Sequence, residues 1–459
     1  MVSILSFLYI TIILVLGYSV ICLVLRNGRL PLSQIIFLTI GLGMGTMGFL
    51  LFWASLCGQR PNWIILEIIL AGASIMILFS ARLGWLVKPL PINLYKSKGS
   101  KWAITLQSLA LILILSVFIT VSWHALGSPL YEWDAFAIWG LKAKVIFYES
   151  LLSKPAYFYD VNLSYSHLDY PLGLPFLVSG AYAAIGSVND QWGKIILPIM
   201  TAAFIFMLYD GFRWKIKSVK SLLILAVCVG NGPFIRWAGS GNADLTLTFF
   251  YGGSVIFLLK WIENKRSSDL IISALFSAFC AFTKNEGLAL AAMNLLILLI
   301  HLSIARRKNE FIATAYFFLI LVVFILPWII WSIDIPRTHE NYLGRLNINM
   351  LVNNSDRLNL IFYHFFQQIF RVERWGGAWL LLIAFSLVGW KAITNPIVRW
   401  CWLLLALHIG LYILIFMVTP WNIDDLAKSS LDRLLMHLIP VVGLISCFHW
   451  ASLQTNGND

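Results

Sequence analysis

Five short stretches of the chain set carboxylates beside cations or hydroxyls, and another sets two lysines together, in patterns that acid–base or phosphate chemistry needs. The first is Tyr131-Glu132-Trp133-Asp134-Ala135-Phe136-Ala137-Ile138-Trp139. A carboxylate such as Asp134, held among tryptophans at a membrane surface, is partly desolvated, which raises its basicity. Such a group suits removing a proton from an attacking hydroxyl; the plainer reading is an aromatic belt with incidental acids. Gly140-Leu141-Lys142-Ala143-Lys144 follows. A continuous helix would put Asp134 and Lys142 on roughly one face, but Gly140 is expected to break it. Two lysines there could hold a phosphate as point charges, or snorkel at an interface.

The third stretch is Ser166-His167-Leu168-Asp169-Tyr170-Pro171. Proline restricts Tyr170 to an extended backbone, so His167 and Asp169 are expected to point one way, toward a ligand or cation. Two such groups are a weak metal signal, since most sites need three or four ligands; a turn that starts the next helix is the alternative. In Ser240-Gly241-Asn242-Ala243-Asp244, Asp244 complements a helix dipole and Asn242 is expected to cap that helix. Thr283-Lys284-Asn285-Glu286-Gly287 links two apolar runs with almost no loop. It brings a lysine and a glutamate to membrane depth, where ionisable residues are costly and tend to be functional. The sixth stretch holds Asp424, Asp425, Lys428, Ser429, Ser430, Asp432 and Arg433. Arg433 is expected at a helix start, facing outward, where it suits phosphate recognition; an ion-paired loop is the alternative.

The elements that carry these groups are apolar. Of 459 residues, 60% are hydrophobic and 12% charged, with a mean hydropathy of +0.82. Soluble domains carry about a quarter charged residues, so a soluble globular protein, a secreted disulfide scaffold, a disordered chain and a nucleic-acid binder are excluded. The net charge of +12 falls mostly in short gaps between apolar runs, as in a polytopic membrane protein. Cys22, Cys228, Cys280, Cys401 and Cys447 lie inside such runs and read as core residues, not metal ligands. The first run, from Ser3 to Leu25, lacks a basic leader and reads as a transmembrane helix.

A span needs about 20 apolar residues. The chain offers 13, near 3–25, 31–54, 63–87, 102–125, 190–211, 219–235, 244–262, 268–283, 287–304, 310–333, 377–390, 396–418 and 434–450. Basic gaps hold Lys88, Lys96, Lys98 and Lys101; Arg213, Lys215, Lys217 and Lys220; Lys260, Lys265 and Arg266; Arg306, Arg307 and Lys308; and Lys391 and Arg399. The positive-inside rule puts all of them on the cytoplasmic side. That requirement makes residues 172–186 a helix at the outer interface rather than a span. All six polar stretches then share the opposite face, whose two long outer loops are 126–189 and 334–375. Residues 1–101 read as an N-terminal three-helix membrane module, 102–450 carry the other ten spans with both long outer loops, and 451–459 form a polar tail.

These motifs, in this order, resemble the GT-C membrane glycosyltransferases, closest to bacterial relatives of protein mannosyltransferases and lipid A aminoarabinose transferases. The likeness covers roughly 102–440 and rests on WDAFAIW, HLDYP where relatives often show His-Pro-Pro, an interfacial helix, GNAD, TKNEG and SLDRLLMHLIP. The first motif has one Asp flanked by Ala, with Glu132 two residues before it. The resemblance implies an all-α polytopic membrane protein: a GT-C-like bundle of about 13 transmembrane helices, with interfacial helices in the first large outer loop. It implies transfer of a sugar from a polyprenyl-phosphate donor to a glycan, lipid or protein acceptor, with inversion, at the outer face of a plasma membrane. Asp134 would be the general base. Lys142, Lys144, Lys284 or Arg433 would hold the donor phosphate. Glu132, His167, Asp169, Asp244 and Glu286 would shape the acceptor or sugar pocket, or help bind a divalent cation such as Mg or Mn. The rival classes are a transporter or flippase of lipid-linked saccharides and a membrane partner without chemistry. Transporters place ionisable groups or broken helices near the midplane. Here the acids fall at the outer ends of spans and no matching pair of interrupted helices is evident.

Overall fold

The computed structural model describes residues 2–90, 100–216, 218–305, 308–337 and 342–455. Lys96, Lys98, Lys217, Arg306 and Arg307 of the basic gaps lie outside the described residues. The long apolar runs form helices because a buried or lipid-facing backbone must satisfy its own hydrogen bonds. They are α1 (Val2–Leu25), α2 (Leu32–Leu56), α3 (Trp63–Arg82), α4 (Lys101–Gly127), α5 (Leu141–Tyr148), α6 (Gly173–Ile185), α7 (Ile196–Arg213), α8 (Ser218–Val229) and α9 (Gly232–Ala238). Next come α10 (Asp244–Asn264), α11 (Ser267–Ala281), α12 (Asn285–Ala305) and α13 (Lys308–Trp331). Four short helices follow, α14 (Tyr342–Arg345), α15 (Ile348–Asn353), α16 (Arg357–Phe370) and α17 (Val372–Trp375). The chain ends with α18 (Ala378–Val388), α19 (Pro396–Val418), α20 (Ile423–Met436) and α21 (Ile439–Thr455). The only strand pairing among the described residues joins Arg29–Leu30 to Lys88–Pro89.

Among the described residues, nine of these helices are long and apolar enough to cross a bilayer, or eleven if two bent pairs each count as one span. This is the architecture of a multi-pass helical membrane protein. The expected spans at 268–283 and 377–390 coincide with α11 and α18, of 15 and 11 residues; both fall short of about 20. Two of the expected spans, 219–235 and 434–450, belong to bent pairs. α8 and α9 meet at 70°, and α20 and α21 at 50°.

Helix α6, at the expected interfacial segment, is too short to be a span and is enclosed by protein. Twelve of its 13 residues are buried, packed against α1, α2 and α5. An interfacial helix keeps a polar face in water; this one has no free face, because the small residues Gly180, Ala181, Ala183 and Ala184 let its neighbours close around it. Helix α2 packs into the rest of the bundle. Phe49 of α2 lies 4.3 Å from Phe324 of α13, and Phe52 lies 5.2 Å from Phe282 and 5.8 Å from Phe176. One apolar core thus runs through α2, α6, α11 and α13.

The basic gaps gather at one end of the bundle. Lys215 pairs with Glu263 at 2.5 Å and Lys260 with Asp210 at 2.8 Å. Lys265 reaches Glu310 at 3.1 Å, and His301 meets the same carboxylate at 3.0 Å. Helix α10 connects this end to the other: its 21 residues extend roughly 30 Å, and its first residue is Asp244.

Candidate functional site

Asp244 is the centre of the opposite end. Its side chain is 2% exposed, and its Oδ1 receives Lys284 Nζ at 3.3 Å and His437 Nε2 at 3.1 Å. Lys284 also binds Glu286 Oε1 at 2.9 Å. Arg433 Nη1 stands 3.9 Å from Asp244 Oδ2 and 2.5 Å from Asp134 Oδ2. Asp134, Asp244, Lys284, Glu286, Arg433 and His437 thus form one network drawn from four distant segments. Each segment lies at a helix end: Asp134 after α4, Asp244 at the start of α10, Lys284 between α11 and α12, and Arg433 in the last turn of α20.

The local causes are visible. Gly241 has φ +96°, and a Cβ there would lie 2.5 Å from Leu130, so only glycine lets the turn before α10 tuck beneath that side chain. Asn242 does not cap α10. Ala243 occupies the cap position, already near helical φ and ψ. The Asn242 N–H donates to Ser240 Oγ, and Asn242 Oδ1 is buried with no partner among the described residues. Arg433 is not at a helix start either. Asn422 caps α20 eleven residues earlier, accepting from the Asp424 and Asp425 N–H groups. Arg433 falls in the last turn, where a cation complements the helix dipole. Its guanidinium lies 5.2 Å from the Trp237 ring. Burial disfavours the Lys284 ammonium, but the carboxylates of Asp244 and Glu286 outweigh it and hold the amine above the usual lysine range.

A second group borders this network. Residues 135–140 form a π turn that runs directly into α5, so Gly140 does not break the helix. Gly140 serves close packing instead: a Cβ there would meet Leu130 at 2.4 Å. Lys142 of α5 is fully buried and donates to the His167 carbonyl oxygen at 2.5 Å. Its ammonium lies 5.8 Å and 5.5 Å from the rings of Trp139 and Tyr170. Burial pushes this amine down to about 7, against an opposing pull from Asp169. His167 has a left-handed backbone, φ +47°, and stacks on Tyr170 at 4.5 Å. Burial, helped by Lys142, lowers its ring to about 4. Burial raises the Asp169 carboxyl, Lys142 lowers it, and an Asn285 side-chain hydrogen bond also holds it down. The HLDYP turn is thereby tied to the TKNEG link, and the charges of Asp134, Glu286 and Lys284 all act on His167.

Two predicted site residues have other partners. Lys144 pairs with Asp190 at 2.9 Å, and Asp190 also accepts from Tyr182. Glu132 pairs with Arg236 of α9 at 2.9 Å. In the sixth stretch, Asp424 meets His364 at 2.7 Å and Asp432 meets Arg374 at 3.2 Å. Sequence reasoning overlooked His437, Tyr412, Arg236 and Arg374. Only His437 carried a signal: it follows Arg433 by four residues, one helical turn on the same face.

A divalent cation does not fit this donor set. Among the described residues no three His, Cys, Asp or Glu side chains stand together as a metal site. The carboxylates of Asp134, Asp244 and Glu286 each already face a cation. An apolar cavity of about 410 Å³ lies among α4, α8, α18 and α21, lined by Leu109, Leu113, Leu223, Val227, Phe385 and Trp450. The same α4, α8 and α21 lead from it toward the charged network. Comparison with protein-family models, curated proteins and solved structures finds no match to this chain.

Proposed function

We propose that the chain is a membrane-embedded glycosyltransferase that moves a sugar from a polyprenyl-phosphate donor to a hydroxyl-bearing glycan, lipid or protein at the outer membrane face. The observation that carries this reading is the contact between Asp134 and Arg433, 299 residues apart in sequence, at the end of the bundle opposite the basic gaps. It sets a carboxylate and a guanidinium side by side, the pair that a base and a phosphate-binding cation require. Asp134 is partly exposed, at 28%, while Arg433 behind it is 15% exposed, so an acceptor can reach the carboxylate from outside. Arg433 Nε is buried with no partner among the described residues, which leaves one guanidinium donor for a phosphate oxygen. Lys284 supplies a second positive charge.

The chemistry follows from that arrangement. The donor phosphate draws Arg433 toward itself and releases Asp134. Asp134 then takes the proton of the acceptor hydroxyl as its oxygen attacks the anomeric carbon. The bond from that carbon to the phosphate oxygen breaks, and Arg433 and Lys284 stabilise the negative charge that develops on the leaving polyprenyl phosphate. A single displacement inverts the anomeric centre and needs no covalent intermediate. The apolar cavity suits the isoprenoid tail.

A flippase or transporter of lipid-linked saccharides is the second reading, favoured by the two bent helix pairs. One experiment separates the two. Purified protein in detergent, with no leaflet to cross, is given polyprenyl-phosphate sugars and hydroxyl acceptors. Transfer of label to an acceptor is the expected result. No transfer in detergent, with lipid-linked sugar crossing liposomes only when the protein is present, supports the flippase. Profiling glycans and lipid-linked intermediates in a deletion strain then names donor and acceptor.

A further inference from the structure

Behind Asp244 runs a chain of buried polar groups that the sequence reading did not use. His437 Nε2 meets Asp244 Oδ1 at 3.1 Å. His437 Nδ1 meets the Tyr412 hydroxyl at 2.7 Å, and that hydroxyl meets His408 Nε2 at 2.7 Å. All three side chains are fully buried. His408 lies on α19, ten residues before its end at Val418, so the chain reaches roughly 15 Å into the bundle. Polar groups at that depth are expensive, and three in a row have a cause.

The direction of the protons follows from Asp244. A carboxylate only accepts, so His437 Nε2 carries hydrogen. With a neutral ring, His437 Nδ1 accepts the Tyr412 O–H. The Tyr412 oxygen in turn accepts the His408 Nε2–H. The one atom left over is a lone pair on His408 Nδ1, which is buried with no partner among the described residues. In the reverse polarity His437 is an imidazolium, its Nδ1–H donates to Tyr412, and Tyr412 donates to His408 Nε2. His408 Nδ1 would then be a buried N–H without an acceptor, which is rarer and costlier than an unused lone pair. The reverse arrangement also adds a buried charge. The first polarity wins. The chain ends blind at His408, whose other neighbour is the Tyr251 ring at 4.9 Å, so it orients groups rather than conducting protons across the bundle.

We propose that Tyr412 and His408 are positioning residues that lock His437 as the neutral Nε2–H tautomer, so that His437 fixes Asp244 and, through it, the two cations Lys284 and Arg433. That those cations hold a donor phosphate rests on the glycosyltransferase reading; the tautomer does not. The charged groups facing His437 and its partner are Asp244, Lys284, Glu286 and Arg433, three carboxylates against two permanent cations once Asp134 is included.

The test is 15N NMR of the full chain in detergent with labelled histidine, His437 assigned by its loss in His437→Gln. The expected wild-type signal near neutral pH is a neutral ring with hydrogen on Nε2. In Tyr412→Phe, which keeps the ring and removes only the hydroxyl, Nδ1 loses its donor while Nε2–H still faces Asp244, so the ring becomes protonated. An imidazolium or an Nδ1–H tautomer in the wild type overturns the proposal, and so does a ring that stays neutral in Tyr412→Phe. The wild-type result needs no variant to fold and no substrate. If transfer is never observed but the tautomer behaves as stated, the glycosyltransferase reading fails while the positioning of His437 stands. Where transfer is observed, Tyr412→Phe is expected to raise KM for the lipid-phosphate sugar about tenfold with a smaller loss in kcat; equal loss in both contradicts a role through donor-holding cations.

Discussion

Lys142 shows how much a single buried residue can reveal. Its aliphatic stem packs among Trp139 and Tyr170 while its amine donates to the His167 carbonyl. Burial lowers the amine from 10.5 to about 7. Between those values the unfolded chain binds a proton that the native chain has released. Stability therefore rises with pH across that window, and the penalty for charging Lys142 is present in full only below it. Wild type is expected to gain about 1 kcal/mol per pH unit relative to Lys142→Met as pH rises from about 7 to about 9. Thermal melts of both proteins in detergent check this; parallel shifts in the two would show that Lys142 is charged in the native state. At this scale the sequence was only partly legible. Asp134, Asp244, Lys284, Glu286 and Arg433 were recognisable as functional types beside apolar runs. Their pairings were not, because partners such as Glu132 and Arg236 are 104 residues apart, and no local pattern joins them. Lys144 and Lys142 look alike in sequence, yet one reaches Asp190 and the other is enclosed under HLDYP.

Helices and their contacts follow two rules here. Apolar runs long enough for a bilayer were readable because the hydrocarbon thickness dictates their length. Bends were harder. Gly230-Asn231-Gly232-Pro233 breaks α8 from α9 with clear turn residues, but their apolar flanks hid the break. The bend between α20 and α21 is marked only by Pro440, in the first turn of α21, since Leu434-Leu435-Met436 continue the apolar pattern of the final run. That is why Arg433 was expected at a helix start and is found near a helix end. Close helix contacts depend on small residues. In the α1–α2 seam a Cβ at Gly17 would lie 1.8 Å from Thr39 O, and one at Gly43 would lie 2.1 Å from Ile13 O. Both obstacles are backbone atoms, so the helices would have to separate. Gly43→Val is expected to destabilise the α1–α2 pairing by several kcal/mol, as overpacking of a closed contact does, seen as a large drop in melting temperature or loss of folded protein. A wild-type melt would show that the two helices are not in contact.

For the whole molecule, the decisive feature is that the ion pairs of the basic gaps and the network around Asp244 occupy opposite ends. The Lys215–Glu263, Lys260–Asp210 and Lys265–Glu310 pairs mark one end, and Asp134, Asp244 and Lys284 mark the other. Sidedness was legible from the positive-inside pattern because it depends on counting charges in gaps, not on knowing contacts. The enclosure of α6 and the packing of α2 into the bundle were not, since burial on every side depends on neighbours that composition does not name. The orientation can be checked without mutation. Among the free cysteines, Cys57 is exposed and the others are buried. It follows α2 at the end that carries the site, where the Leu151 N–H donates to Ser55 Oγ. A membrane-impermeant maleimide is expected to label Cys57 in intact cells, and labelling only after permeabilisation would invert the assignment.

Asp134 is the residue on which the proposed reaction turns. The direct measurement is to supply Asp134→Asn to a strain lacking the protein, confirm that the variant inserts at wild-type level, and profile glycans and polyprenyl-phosphate sugars beside a wild-type control. The substitution removes the base and keeps the size of the side chain, so the expected result is loss of the transferred sugar with accumulation of its lipid-phosphate donor. A glycan and lipid profile identical to wild type would contradict Asp134 as the base and the reaction built around it.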